Sequence, residues 1–230
     1  MSMHPRTCVS AISTFRLSLP EDLAFWANHG VTNVGVSVAK LEAFGWDEGA
    51  KLVAEAVANG LHVVDLIGLG PFHLARPERW GAQRDRLAHS IETARAVGAS
   101  VVVFTTGPFA PLTWDEAADA LDLARRLDTG VCMEVNACWA ERDLASTIAD
   151  GVDRIRLVQV SDFKVGTLAS SQRLVPGDGD IPLARIIAAA ESAGYTGSYE
   201  LELIGDAITE EGYDRAVPRA VAALEALLPA

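Results

Sequence analysis

The feature that most constrains this chain is a unit recurring along its length: a short β-branched run, a polar loop, an Ala-rich amphipathic stretch, then a glycine before the next apolar run. The glycines are Gly30, Gly60, Gly98, Gly130, Gly151 and Gly194. A glycine just past the last turn of a helix accepts left-handed backbone angles that other residues resist, so each is expected to end a helix that feeds a strand. On this reading strands cover residues 10–14, 33–38, 62–67, 100–106, 131–136, 154–161 and 198–204. Helices cover 20–28, 47–59, 77–97, 114–127, 141–149, 183–193 and 213–228. Ser18 ahead of Pro20 and the Thr113 to Glu116 spacing carry helix-start chemistry, the second as a capping box.

Strand and helix alternation points to a parallel α/β fold. The nearly continuous apolar run Val101–Phe104 suits a strand covered on both faces. An open dinucleotide-binding sheet loses support because no strand is followed by a Gly-x-Gly-x-x-Gly opening a helix, and Gly68-Leu-Gly70-Pro-Phe has the wrong continuation. A closed barrel of the TIM type commonly has about 250 residues. The chain has 230 and shows seven strands, so the expected fold is a single-domain TIM-type barrel over 1–230 with one β/α unit lacking or degraded.

Net charge is −12, with acidic residues spread along the chain, which disfavours nucleic acid as a partner. No apolar run approaches the ~20 residues that span a bilayer, and no apolar segment follows the Met1-Ser-Met-His-Pro-Arg start. A cytoplasmic protein without membrane association is expected. Its three cysteines, Cys8, Cys132 and Cys138, read as reduced thiols, because they are odd in number and lack zinc-site spacing.

In a parallel barrel, chemistry gathers at the C-terminal strand ends, and here the polar residues concentrate in the last three strands. The two-residue strand period puts Glu134 and Asn136 on one face, offers Gln159 inward with Asp162 at the loop boundary, and turns Glu200 and Glu202 away from Leu201 and Leu203. Buried carboxylates need a cation, a metal or a donor. For Glu200 the plain alternative is a structural network with Arg154 or Arg156; an interior amide at Gln159 can likewise be purely structural. The loop from Asp162 to Ile181 contains Gly177-Asp-Gly179-Asp and two cations, Lys164 and Arg173, which suit an anionic or polyhydroxylated substrate or are simply solvated charges. His73 follows a strand end and is a further candidate for the mouth; Asp65 is expected inward or capped, without a role.

Taken in order, Glu134, Arg154-Ile155, Gln159-Val-Ser-Asp162, Arg173, Pro176-Gly-Asp-Gly-Asp180, Ala193-Gly-Tyr-Thr-Gly197 and Glu202 resemble the xylose isomerase-like TIM-barrel family, the sugar phosphate isomerase/epimerase group. The likeness is clearest from Trp114 onward. It implies a divalent cation, Mn²⁺ or Mg²⁺, with Glu134, Gln159 and Glu202 at metal-ligand positions. The family's cation polarises a hydroxyketone while carboxylates move a proton at the adjacent carbon. The chain departs from the pattern where Ala137 stands for one histidine, where Gln159 stands for another, and where one ligand carboxylate is missing.

The expected function is therefore an isomerase or epimerase acting beside a carbonyl on a small hydroxyketone or carbohydrate-like substrate. Glu202 is the principal base, Glu134 a metal ligand or second acid-base group, and Gln159, Asp162, Arg173, Asn136, His73 and Lys164 bind substrate. A lyase or dehydratase on the same scaffold and a metal-free binding barrel are the rivals. A homodimer is expected, because a barrel short of one unit leaves an apolar gap to cover.

Overall fold

The computed structural model describes residues 3–72, 76–106, 116–167, 169 and 171–229. These gather into two compact units, one over Cys8–Ala110 and the other over Pro111–Ala230 together with His4–Thr7.

In the first unit the order is β1 (Thr7–Ser10), α1 (Leu19–His29), β2 (Asn33–Ser37), α2 (Val38–Phe44), α3 (Trp46–Ala58), β3 (His62–Phe72), α4 (Trp80–Val97) and β4 (Val101–Thr106). β1 pairs with β2, β2 with β3 and β3 with β4, all parallel. Val9, Val34, Val36 and Leu66 are fully buried, as strands covered on both faces require. At the start of α1 the Ser18 backbone N–H and hydroxyl both donate to the Glu21 carboxylate (2.7 and 2.6 Å). Gly30 ends that helix at φ 67, left-handed as its sequence position predicts.

The first strand lies earlier than expected. Residues 11–14 form a single 3-10 turn, because the Ser10 hydroxyl accepts from the Ile12 N–H (3.3 Å) and Lys40 Nζ takes the Ala11 and Thr14 carbonyls (2.9 Å each). The same ammonium meets Asp22 at 2.7 Å, and the Thr14 hydroxyl donates to that carboxylate at 2.7 Å. Helix α2 was not foreseen; Ser37 caps it by accepting from the Lys40 N–H (3.4 Å).

The second unit runs α5 (Glu116–Leu127), β5 (Val131–Glu134), α6 (Val135–Cys138), α7 (Leu144–Gly151), β6 (Ile155–Val160), α8 (Leu183–Ser192), β7 (Ser198–Leu201), α9 (Asp206–Glu211) and α10 (Tyr213–Glu225). β5 pairs with β6 and β6 with β7, again parallel. Leu157, Val158, Tyr199, Leu201 and Ile187 form its interior. Gly130 does not cap α5; Asp128 takes the left-handed angles there (φ 51). Gly151 is required for another reason: a Cβ there would stand 2.3 Å from Leu121 Cδ1, so its missing side chain lets α7 approach α5.

β5 ends at Glu134, two residues sooner than its apolar pattern suggests. The Glu134 carboxylate accepts from the Asn136 N–H (3.1 Å) and starts the α6 turn, which removes Asn136 from the strand face assigned to it. β7 likewise stops at Leu201, leaving Glu202 as the first residue beyond it.

Seven parallel strands alternating with helices make this a TIM-type α/β fold, one repeat short of a full barrel among the described residues. No helix among those residues is long and apolar enough to cross a membrane. None of the three cysteines forms a disulfide. The capping box at Thr113 lies outside the described residues.

Candidate active site

The site is built entirely within the second unit. Register places Glu134 opposite Gln159 and Gln159 opposite Glu200, so three polar side chains form one row across β5, β6 and β7. Gln159 is 5% exposed and Glu200 fully buried; the Gln159 amide donates to Glu200 Oε2 at 2.8 Å. The arginine network considered for Glu200 is not what forms. Arg154 pairs with Asp128 (2.8 Å) and Arg156 donates to the Asp153 carbonyl (2.8 Å). Gln159 is a buried partner of Glu200, so its amide nitrogen is turned toward that carboxylate.

Two residues past Glu200, Glu202 is held by its own N–H to the Val160 carbonyl (3.1 Å). Arg173 reaches it from the loop between β6 and α8. One guanidinium nitrogen, Nη1, lies 2.8 Å from Glu134 Oε2 and 3.0 Å from Glu202 Oε1. The three side chains are 20%, 14% and 13% exposed for Glu134, Glu202 and Arg173, shielded enough to strengthen the pairing without being cut off from solvent. Burial pushes the Glu134 carboxyl up from its ordinary range, with Arg173 and the Asn136 N–H opposing. Burial also raises Glu202, to about 7; Arg173 opposes this and the neighbouring Glu134 charge adds to it.

The loop that carries Arg173 is tied down at several points. Arg173 N–H donates to the Ile204 carbonyl (2.8 Å), and Leu174 and Asp162 exchange backbone hydrogen bonds at 2.9 Å in each direction. Gln172 exchanges hydrogen bonds with Asp206, through its amide to the carboxylate (3.0 Å) and from the Asp206 N–H (2.9 Å). Asp162 is 1% exposed, and its carboxylate accepts four backbone N–H groups, from Phe163, Ile181, Gly177 and Gly179, at 2.8 to 3.1 Å. A Cβ at Gly179 would stand 2.2 Å from that carboxylate, so only glycine permits the approach. Asp162 therefore closes the loop, whereas sequence reasoning gave it a place beside substrate.

Of the other sequence candidates, Asn136 meets Glu134 through its backbone N–H. Lys164 is exposed and pairs with Asp180 at 3.1 Å. His73 lies outside the described residues. Gln172, which fastens Arg173's neighbourhood to Asp206, was not foreseen, and nothing but its adjacency to Arg173 marks it in the sequence.

A cavity of about 200 Å³ adjoins Glu134, walled by Leu121, Met133, Ala137, Leu144 and Ile148. Cys138 also lines it, but burial and the nearby Glu141 and Glu134 charges push its thiol up to about 12, out of reach of nucleophilic use near neutrality.

The resemblance assigns a divalent cation to Glu134, Gln159 and Glu202. As arranged, these residues do not fit one: a guanidinium nitrogen already stands between the two carboxylates, 2.8 and 3.0 Å from their oxygens.

A family model described as a xylose isomerase-like TIM barrel matches residues 105–227, more than half of the chain. Among curated proteins no sequence matches. Solved structures do. A Sinorhizobium meliloti 1021 protein superposes with TM-score 0.82 at 20% identity, covering 98% of this chain and 99% of that one. IolI, solved with a zinc atom, gives TM-score 0.83 at 15% identity, covering 96% and 97%. The 3-keto-D-glucoside 4-epimerase YcjR from E. coli, in its apo form, gives 0.64 at 15% identity, covering 96% and 98%. At these identities the likeness establishes shared fold.

Proposed function

The chain belongs to the xylose isomerase-like TIM barrel family, and from that premise we propose that it is an isomerase or epimerase moving a proton beside a carbonyl. The substrate class is a small hydroxyketone or carbohydrate-like molecule. The observation that carries the reading is the pair of glutamates, Glu134 and Glu202, held 2.8 and 3.0 Å from one nitrogen of Arg173. Two acid-base groups around one fixed positive charge are what such a reaction needs.

In this reading the Glu202 carboxylate removes the proton from the carbon next to the carbonyl. The electron pair moves onto the carbonyl oxygen, and the resulting enediolate is stabilised by the Arg173 charge. For isomerisation the substrate hydroxyl passes its proton to the former carbonyl oxygen while Glu134, or Glu202 itself, returns a proton to the neighbouring carbon; for epimerisation Glu134 returns a proton to the opposite face of the same carbon. Glu202 at about 7 supports this, because a group titrating near the working pH is populated in both forms that transfer requires. No step is assigned to a divalent ion.

The test is product analysis in deuterated water over a panel of small hydroxyketones, with wild type and Glu202→Gln. Deuterium at carbon with skeletal mass otherwise retained is expected, together with a fall in turnover of about 10²- to 10⁴-fold in the variant. Full turnover by Glu202→Gln refutes the assignment, and net loss of water replaces it with the lyase alternative.

A further inference from the structure

We infer that Arg173 is the resident cation of this site and occupies the position in which a divalent metal would otherwise join Glu134 to Glu202. The inference takes its chemical role from the proposed proton transfer, while the exclusion of metal stands on geometry alone.

Nη1 is 2.8 Å from one carboxylate oxygen and 3.0 Å from the other. A Mg²⁺, Mn²⁺ or Zn²⁺ ion shared by those oxygens sits about 2.0 to 2.2 Å from each. An ion bridging the two oxygens and a nitrogen bridging them contend for one small space, and both carry positive charge. The backbone that carries this side chain is firmly placed: the Arg173 backbone N–H donates to the Ile204 carbonyl, Gln172 beside it is bound to Asp206, and Leu174 after it is bridged to Asp162. The Gln159 amide nitrogen donates to Glu200, which leaves its carbonyl oxygen as the one neutral atom that residue could offer beside the two carboxylates. IolI shares this fold and was solved with a zinc atom; in the present chain the fold carries its positive charge on a side chain.

The consequence is a site that needs no divalent ion and gains one only when Arg173 is removed. Chelator-dialysed wild type, Arg173→Met and the double variant Arg173→Met/Glu202→Gln are titrated with Mn²⁺, and free ion is followed by electron paramagnetic resonance. Wild type is expected to take up no stoichiometric Mn²⁺ up to about 1 mM. Arg173→Met is expected to gain one site per chain, binding at least about tenfold more tightly than wild type. The double variant is expected to lose that gain, which locates it.

Uptake of one Mn²⁺ per chain by wild type overturns the inference, and so does a folded Arg173→Met that binds no better than wild type. Should Arg173→Met fail to fold, the wild-type titration decides by itself. Turnover with and without chelator separates this claim from the functional one. Activity abolished by chelator sinks the arginine role and leaves the isomerase standing. No activity on any hydroxyketone, with the expected Mn²⁺ pattern, does the reverse.

Discussion

Replacing Glu202 by Gln tests the electrostatics of the site without needing a substrate. In the folded chain the Glu202 carboxyl is raised from 4.5 to about 7, chiefly by burial, with the Glu134 charge adding and Arg173 opposing. A carboxyl raised on folding binds its proton more tightly in the native state. Its contribution to stability is therefore fully present below about pH 4.5 and is lost as pH rises through about 7. Between pH 5 and pH 8 the linkage relation gives a loss of about 2.5 kcal/mol from this group. Glutamine has no proton to lose. It also relieves Glu134 of a like-charged neighbour, which flattens the profile further. Any fixed cost of the substitution, such as altered packing, is the same at both pH values and cancels in the comparison, while the charged contact with Arg173 is already contained in the position of the Glu202 carboxyl. Urea unfolding followed by circular dichroism should thus show the variant gaining about 2.5 kcal/mol on wild type between pH 5 and pH 8. A gain under about 0.5 kcal/mol would mean that Glu202 titrates as an ordinary carboxyl, and the acid-base argument for it would fail.

Two further substitutions probe the interior. Gln159→Leu removes the amide donor from the buried Glu200 carboxylate and should lower stability by about 2 kcal/mol in urea unfolding; a change under about 0.5 kcal/mol would show that the 2.8 Å contact does not support that carboxylate. Lys40→Met strips Asp22 of its cation. Asp22 already stands at about 6, raised by burial against the pull of Lys40, so the variant's deficit should grow with pH, reaching about 3 kcal/mol at pH 8 and less at pH 5. Equal deficits at the two values would refute the pairing.

Most of the architecture was legible because β-branched runs and helix-ending glycines repeat along the chain and report local preference directly. Strand ends were less legible. At Ser10 and Glu134 a side-chain oxygen accepts a nearby backbone N–H and bends the chain into a turn, a competition that apolar patterning does not register. Glu134, Glu202 and Arg173 could be singled out by residue type and order. Their meeting at one nitrogen could not, since it depends on contacts between segments far apart in sequence. For Glu200 an arginine network is one of the alternatives that residue type suggests; strand register puts Gln159 beside it instead. The Gly177-Asp-Gly179-Asp stretch read only as turn-forming, and its use as a cradle for Asp162 requires the loop to be folded back on itself.

That loop keeps two tasks apart. Because the positive charge is delivered by a connecting segment and not by a strand, a substitution at position 173 changes how the site is charged without altering any strand residue. The hydrophobic interior need not be repacked for this to happen. Chemistry and scaffold are thereby set by separate parts of the chain.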